Sequence, residues 1–530
     1  MAFTAHDALV LLALLAAVAG MLSIAPSLRI PYPILLVLGG LALGFVPGIP
    51  HVRLNPNIVL VAILPPLLYG SAFYTSLRDL RRNARPVTLL SVGLVLTTTV
   101  AVAAVSHAFI SGLSWPVCFV LGAVVAPTDA LAATVVAAGI GLPRRIVAIL
   151  EGESLMNDAT ALVAYGFAVA AVTTGTFSLW HATWRFVVDV LGGVAIGLAA
   201  GVVLRQVRRR IDHSPTEIAL ALFSGYFAYL PAQAAGVSAV LAAVTVSIYV
   251  GWYTPELTTY QTRLQGDAVW GITTFLLNAL LFVLVGLQLR PTLHALSGRS
   301  SASLVADGVV VSAAVILTRL AWLPIGAYVP RALVPAVRRS DPYPPWQWPV
   351  LLGWAGMRGA VSLTAALAIP LTVRGGAPFP DRELVVFLTF CVILATLVLQ
   401  GGTVPLVARA LGVEDDGKAE KEETKARYKA AQAALARLDE LVGEDWVRED
   451  TADRLRGAYQ FRLNRMASRF DPDGDGALDA RSLDYQRLRR ELLDAERQAL
   501  VDLRRRGTID DEVMNRVTRD LDLEDARLEI

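Results

Sequence analysis

Lysine does not occur before residue 418, and cysteine occurs only twice in 530 residues, as Cys118 and Cys391. Both cysteines fall inside apolar runs, which excludes a disulfide framework and a cysteine-based metal site. Charge is scarce as well. Only 17% of residues are charged while 55% are hydrophobic, and the mean hydropathy is +0.54. That is too apolar for a soluble protein of this length and indicates a polytopic membrane protein.

What charge there is lies unevenly. From Leu411 onward 23 Lys+Arg face 30 Asp+Glu, a net of −7, whereas 24 and 15 precede it, a net of +9. All four lysines belong to this tail, which opens EDDGKAEKEETKARYK. A membrane domain at 1–410 followed by a charged helical cytoplasmic domain at 411–530 is the division these numbers predict. The N-terminal apolar run has the length of a signal-peptide core, but no Lys or Arg precedes it, so it reads as an uncleaved first span.

About 20 apolar residues cross a bilayer. Runs of that kind fall near 7–25, 32–49, 56–76, 86–110, 115–138, 143–174, 183–206, 215–231, 236–252, 267–289, 303–329, 348–371 and 382–410, about thirteen in all. Arginines alternate with this count. Fifteen follow odd-numbered spans, among them Arg85, Arg144, Arg145, Arg208 and Arg331, and five follow even-numbered ones. The alternation puts the N-terminus outside and the tail in the cytoplasm.

Two spans are interrupted. The fifth carries Pro127 in VVAPTDA, and the twelfth carries Gly353, Gly356 and Gly359 in LLGWAGMRGAVSL. Pro and Gly often merely kink membrane helices. These two breaks, however, are seven spans apart and both carry charge, as Asp129 and Arg358. An odd offset gives opposite crossing directions, the pattern of an inverted repeat whose broken helices cross at an ion or substrate site. The fold class is therefore an all-α polytopic membrane protein with two broken, crossing helices.

The sixth span reads EGESLMNDATALVAY from Glu151. Carboxylates in lipid are costly, so they are presumed functional unless paired or at an edge. Asp158 lies 13 residues past Arg145, roughly 20 Å along a helix, near mid-membrane. Asp129, at mid-run in the fifth span, shares that depth. Together with Thr128, Ser154 and Asn157 the two aspartates form a hard-oxygen cluster suited to a small cation such as Na⁺. It also suits protons, because desolvation favours the neutral form of a carboxylic acid. None of the six histidines lies near the cluster by span position, so proton handling falls to carboxylates.

Arg319 is deep in the eleventh span and needs an anionic partner, for which Glu153 is the natural candidate. Arg358 is placed to neutralise the negative, C-terminal end of the first half-helix beside the glycines; direct participation in transport is the other reading. Thr128 and Ser154 serve equally well as helix-holding hydrogen-bonders. Glu151, nearer the cytoplasm, fits a vestibule or structural position. Asp189, Glu217, Asp267 and Asp307 stand near span ends, where solvation is expected.

At this point the segments APTDALA, ESLMNDATALV and GMRGAVSLTAAL together resemble the monovalent cation:proton antiporter-1 family, the sodium/proton exchangers of bacteria and archaea. The Asn157-Asp158 pair matches the family's Asn-Asp motif, Asp129 its Thr-Asp motif, and Arg319 the arginine paired with the glutamate of the Glu-Ser segment, here Glu153. Asp129-Ala130 stands where Asp-Pro is frequent, with Pro127 before the threonine instead. The resemblance covers about 7–410. It implies a thirteen-helix homodimer with core and dimerisation parts, elevator-like alternating access, and electroneutral exchange of one Na⁺ for one H⁺. Na⁺ and H⁺ would compete for Asp158, with Asp129 as the second metal ligand and Thr128 and Ser154 completing the site. It implies no cofactor beyond the transported ions, membrane lipid as surroundings, no nucleic-acid partner, and a plasma-membrane location.

Rival functions follow from the same residues. A K⁺/H⁺ antiporter would use the same oxygen ligands. A passive cation channel would also place carboxylates at mid-membrane, but it would not need crossed broken helices. A membrane-embedded enzyme would need a nucleophile and base or a metal-ligand set, and the spans carry neither. The tail repeats apolar residues at helical spacing through AAQAALARLDELV and RSLDYQRLRRELLDAERQALVDLRRR, a helical domain open to self-association or a regulator. Within it DPDGDGALDA resembles the start of a calcium loop, yet Ser482 stands where a bidentate glutamate belongs, so a turn is the better reading. No GxGxxG pattern suggests a nucleotide-gating domain.

Overall fold

A computed structural model describes residues 16, 18–21, 23–24, 31–46, 59–129, 141–175, 179–415, 417–468 and 477–528. No strand forms among them beyond one isolated bridge between Thr372 and Pro378. The chain divides into two compact units, Met1–Asp415 and Asp416–Ile530. Most of the first expected span, the stretch 130–140 and the acidic loop at 469–476 lie outside the described residues.

The first unit is a bundle of apolar helices. They are α1 (Tyr32–Gly44), α2 (Leu64–Phe73), α3 (Ala84–Phe109), α4 (Trp115–Val125), α5 (Arg144–Thr174), α6 (Leu179–Arg208), α7 (Ser214–Ala234), α8 (Ala239–Leu257), α9 (Tyr260–Leu287), α10 (Ser301–Leu333), α11 (Gln347–Trp354), α12 (Ala360–Leu367) and α13 (Arg382–Ala410). Among the described residues six helical stretches are long and apolar enough to cross a membrane. Their outward faces carry large apolar side chains such as Leu191, Ile272, Val309 and Leu317, each more than 60% exposed. A face of that kind requires lipid rather than water. This is a multi-pass membrane protein.

Local sequence sets the helix ends. Proline occupies the first turn of α4 and α7, where its missing N–H costs nothing. Ser238 caps α8 and Thr259 caps α9 through their side-chain oxygens. Gly175, in the left-handed region at φ 70°, terminates α5. Between helices, small residues allow close approach. A Cβ on Gly40 of α1 would strike the carbonyl of Val283 in α9, and one on Gly286 would strike that of Val37.

Two apolar interiors result. One is built from α3, α4, α5 and α10–α13 together with α1 and the end of α9. The other gathers α2, α6, α7 and α8 with Trp270 of α9. Leu155 and Ala159 of α5 pack instead with α2, α7 and α8, so the helix carrying Asp158 touches both groups.

Both expected interruptions are present. Helix α4 stops at Val125 and residues 127–129 are not helical; residues 355–359 separate α11 from α12. Near the second break, α13 contains a π-helical turn at Thr396–Gly401, a local widening that often marks functional positions. Among the described residues the second unit holds four helices, Lys418–Leu441, Glu449–Ser468, Ala477–Arg505 and Asp511–Leu528. The last two are joined by Arg497, whose guanidinium bonds Asp522 and Asp525 at 3.0 and 2.8 Å.

Candidate functional site

The two interruptions meet. Asp129 N donates to Met357 O at 2.8 Å, backbone to backbone. In a dry bundle each group released from a helical ladder needs another partner, and here the breaks supply one another. Arg358 tightens the crossing. Its Nε donates to Val125 O at 3.2 Å, its Nη1 donates to Gly356 O, and its backbone N donates to Thr396 Oγ1 at 3.0 Å. The guanidinium thus sits at the ends of both first half-helices. The sequence placed it at one of them, that of its own span; the contact with Val125 adds the other.

The glycines of the second break have a role beyond interrupting a helix. A Cβ on Gly356 would overlap the Arg319 side chain, and one on Gly359 would overlap the carboxylate of Asp129. They make room for the two charged side chains.

Helix α5 runs beside the first break and presents Glu153, Ser154 and Asn157 to Thr128. Thr128 Oγ1 donates to Glu153 Oε1 at 2.9 Å and accepts from Asn157 Nδ2 at 2.7 Å. Thr128 O accepts from Ser154 Oγ at 3.0 Å and from Asn157 Nδ2 at 3.2 Å. One threonine therefore connects three residues of α5 through hydroxyl and carbonyl alike.

Glu153 also pairs with Arg319. Arg319 Nη1 reaches Glu153 Oε1, Nη2 reaches Oε2 at 2.9 Å, and Nε donates to Leu352 O at 3.1 Å. The side chains are 0% and 1% exposed. A bidentate geometry with the remaining donor satisfied is the arrangement in which a buried ion pair is tolerated.

Asp158 lies one residue beyond this network. It is 6% exposed and accepts no hydrogen bond from the described residues. Asp129 lies close enough to act on it electrostatically. Asn157 Oδ1, Arg358 Nη2 and Ser362 Oγ are buried near the crossing without a partner among the described residues. The crossing thus gathers Asp129, Asp158, Thr128, Ser154 and Asn157, as well as Glu153, Arg319 and Arg358.

Some features depart from what the sequence alone indicates. Thr396 has no sequence signal beyond a hydroxyl in an apolar run. Glu217, expected to be solvated at a span end, is 3% exposed and held by Arg208 Nη2 at 2.7 Å, with Thr254 also on the guanidinium. The short turn between α6 and α7 folds Glu217 back under Arg208, and pairing replaces water. Asp341 likewise collects Arg145 at 2.7 Å, Arg331 at 2.6 Å and Arg85 at 3.4 Å. Of the other expected solvated acids, Asp267 is exposed and bonds Tyr74 Oη at 2.9 Å.

Secondary transporters build their ion sites where discontinuous helices cross inside the membrane, and this fold is of that class. The chain belongs to the sodium/hydrogen exchanger family: the model of that family, described as "Sodium/hydrogen exchanger, transmembrane", matches residues 10–410. It is 37% identical over 528 residues to an uncharacterised Na⁺/H⁺ exchanger of Mycobacterium tuberculosis, covering 98% of this chain and 96% of the relative. It is 31% identical over 453 residues to the sodium, potassium, lithium and rubidium/H⁺ antiporter of Bacillus pumilus, covering 82% and 66% respectively. The solved structure of the sodium proton antiporter MjNhaP1 from Methanocaldococcus jannaschii shares the fold, with a TM-score of 0.57 at 19% identity over 76% of this chain and 100% of that one.

Proposed function

We propose that this protein exchanges Na⁺ for H⁺ across the plasma membrane by alternating access, the two ions competing for Asp158. The observation that carries the proposal is a buried Asp158 carboxylate that accepts no hydrogen bond from the described residues, beside Asp129 at the meeting of two broken helices. A desolvated carboxylate without donors takes either a cation or a proton. Thr128, Ser154 and Asn157 position the site and supply oxygen ligands; Glu153 and Arg319 neutralise one another and hold α5 to α10.

Charge balance supports an electroneutral cycle. With every acid ionised, Glu153, Asp129 and Asp158 face Arg319 and Arg358, three negative charges against two positive. One Na⁺ or one H⁺ brings the cluster to neutrality, and a dry interior penalises both the empty and the doubly occupied site. Obligatory one-for-one exchange follows. The arginine alternation supports an outside N-terminus and a cytoplasmic tail, and the family supports a homodimer.

A second reading concerns the cation. The printed name of the Bacillus pumilus relative includes potassium, lithium and rubidium, and oxygen ligands alone do not select ion size. In proteoliposomes with an imposed pH gradient, Na⁺, Li⁺ and K⁺ are added in turn. Na⁺ is expected to dissipate the gradient, and Asp158→Asn to abolish the response while the protein remains folded. Wild-type exchange in Asp158→Asn would remove Asp158 from the mechanism, and a K⁺ response exceeding that for Na⁺ would reassign the substrate.

A further inference from the structure

A cleft opens between α3, α5, α10 and α11, at the arginine-rich end of the bundle. Its walls are apolar: Leu89 and Leu90 of α3, Trp322 and Gly326 of α10, and Trp348 and Leu352 of α11. Its lining also includes three guanidinium groups, Arg85, Arg145 and Arg331. Asp341 is the only acid they share among the described residues, through bonds of 3.4, 2.7 and 2.6 Å. The cluster therefore keeps two uncompensated positive charges.

The donors are unequally used. Arg331 is fixed by Asp341 O at 3.0 Å through Nε and by Ala327 O through Nη1. Arg145 spends Nε on Asn83 Oδ1 at 3.2 Å. Arg85 makes one long bond, leaving Nε and Nη2 with no acceptor among the described residues. The cleft pairs a hydrocarbon-lined slot with an excess of phosphate-binding donors, on a protein whose outer surface faces lipid.

We propose that this cleft binds an anionic phospholipid, its phosphate on Arg85, Arg145 and Arg331 and one acyl chain along Trp322, Gly326 and Leu352. Charge complementarity selects the headgroup, and the apolar walls select an amphiphile over a soluble anion. The site is separate from the carboxylate cluster. Leu352 links the two, because it lines the cleft while its carbonyl holds Arg319.

The test follows thermal unfolding of the full chain in neutral detergent while phosphatidylglycerol, phosphatidylcholine or inorganic phosphate is titrated in. Phosphatidylglycerol is expected to raise the Tm saturably and phosphatidylcholine to leave it unchanged. Arg85→Gln/Arg145→Gln should weaken the apparent affinity for phosphatidylglycerol by about 5-fold per arginine removed. Should that pair fail to fold, Arg85→Gln alone serves, since its single bond is long at 3.4 Å. Gly326→Leu should also weaken lipid binding with every arginine in place, because an added Cβ meets only Trp322 Nε1 at 3.9 Å and the side chain fills the slot. Equal responses to the two lipids, or an unaltered phosphatidylglycerol response in the variants, overturns the proposal. A shift from inorganic phosphate as large as that from phosphatidylglycerol replaces the lipid by a free anion.

Discussion

The backbone nitrogen of Asp129 donates to the carbonyl of Met357 across 2.8 Å, so the two broken segments hold one another where neither is helical. The bond ties the position of a candidate ion ligand to the segment that also carries Arg358. Any movement of Asp129 relative to Arg358 must strain or break this contact. The crossing is therefore a unit, and substitutions on either segment are felt on the other.

Gly359 gives the most direct test of that coupling. Its missing side chain leaves the space that the Asp129 carboxylate occupies. Gly359→Ala must displace Asp129 or shift the backbone, and overpacking of this kind costs about 1–3 kcal/mol. If Asp129 takes part in ion binding, exchange should fall about tenfold or more, the factor that corresponds to about 1.4 kcal/mol. Gly353→Ala is the control, since its Cβ would approach the end of the Leu320 side chain at 3.0 Å, a neighbour that can yield. Ion-driven dissipation of a pH gradient in proteoliposomes, beside thermal unfolding of the same samples, separates transport from folding. Equal transport by the two variants would remove the coupling.

The Glu153–Arg319 pair makes a different prediction, about stability. Removing one partner leaves the other charged in a site that is at most 1% exposed. Glu153→Gln and Arg319→Gln should each cost about 3–5 kcal/mol. The double variant should cost less than the sum, because no orphan charge remains. Thermal unfolding in detergent gives the cycle, and strict additivity would mean the two residues do not stabilise one another.

How much of this was legible beforehand depends on the physical signal. A charge in an apolar run is conspicuous, so Asp129, Asp158, Glu153, Arg319 and Arg358 stand out, and the Glu153–Arg319 partnership follows from the need to neutralise both. Helix interruptions were legible because Pro127 and the three glycines stand inside otherwise regular runs. Long-range geometry was not. Nothing local says that Gly359 faces Asp129, or that the carbonyl of Val125 meets Arg358, 233 residues away. Glu217 departs from the sequence expectation for a related reason. Proximity to a span end suggests water, but the turn back to Arg208 supplies a counter-charge that linear position does not reveal.

Thr128 gives the last prediction. Its hydroxyl donates to Glu153 and accepts from Asn157, so it joins the ion pair to the residue preceding Asp158. Thr128→Val keeps the shape and removes both bonds. Glu153 retains Arg319, and Asn157 Nδ2 retains the Thr128 carbonyl at 3.2 Å, which places the loss at the low end of about 1–3 kcal/mol for stranding buried polar groups. Thr128→Ser keeps the hydroxyl and deletes one methyl group, worth about 0.8 kcal/mol. If the hydroxyl sets the register of α5 against the break, Val should also reduce exchange while Ser preserves it. Thermal unfolding and proteoliposome exchange on the two variants decide the matter: indistinguishable behaviour of Val and Ser would assign Thr128 a packing role alone.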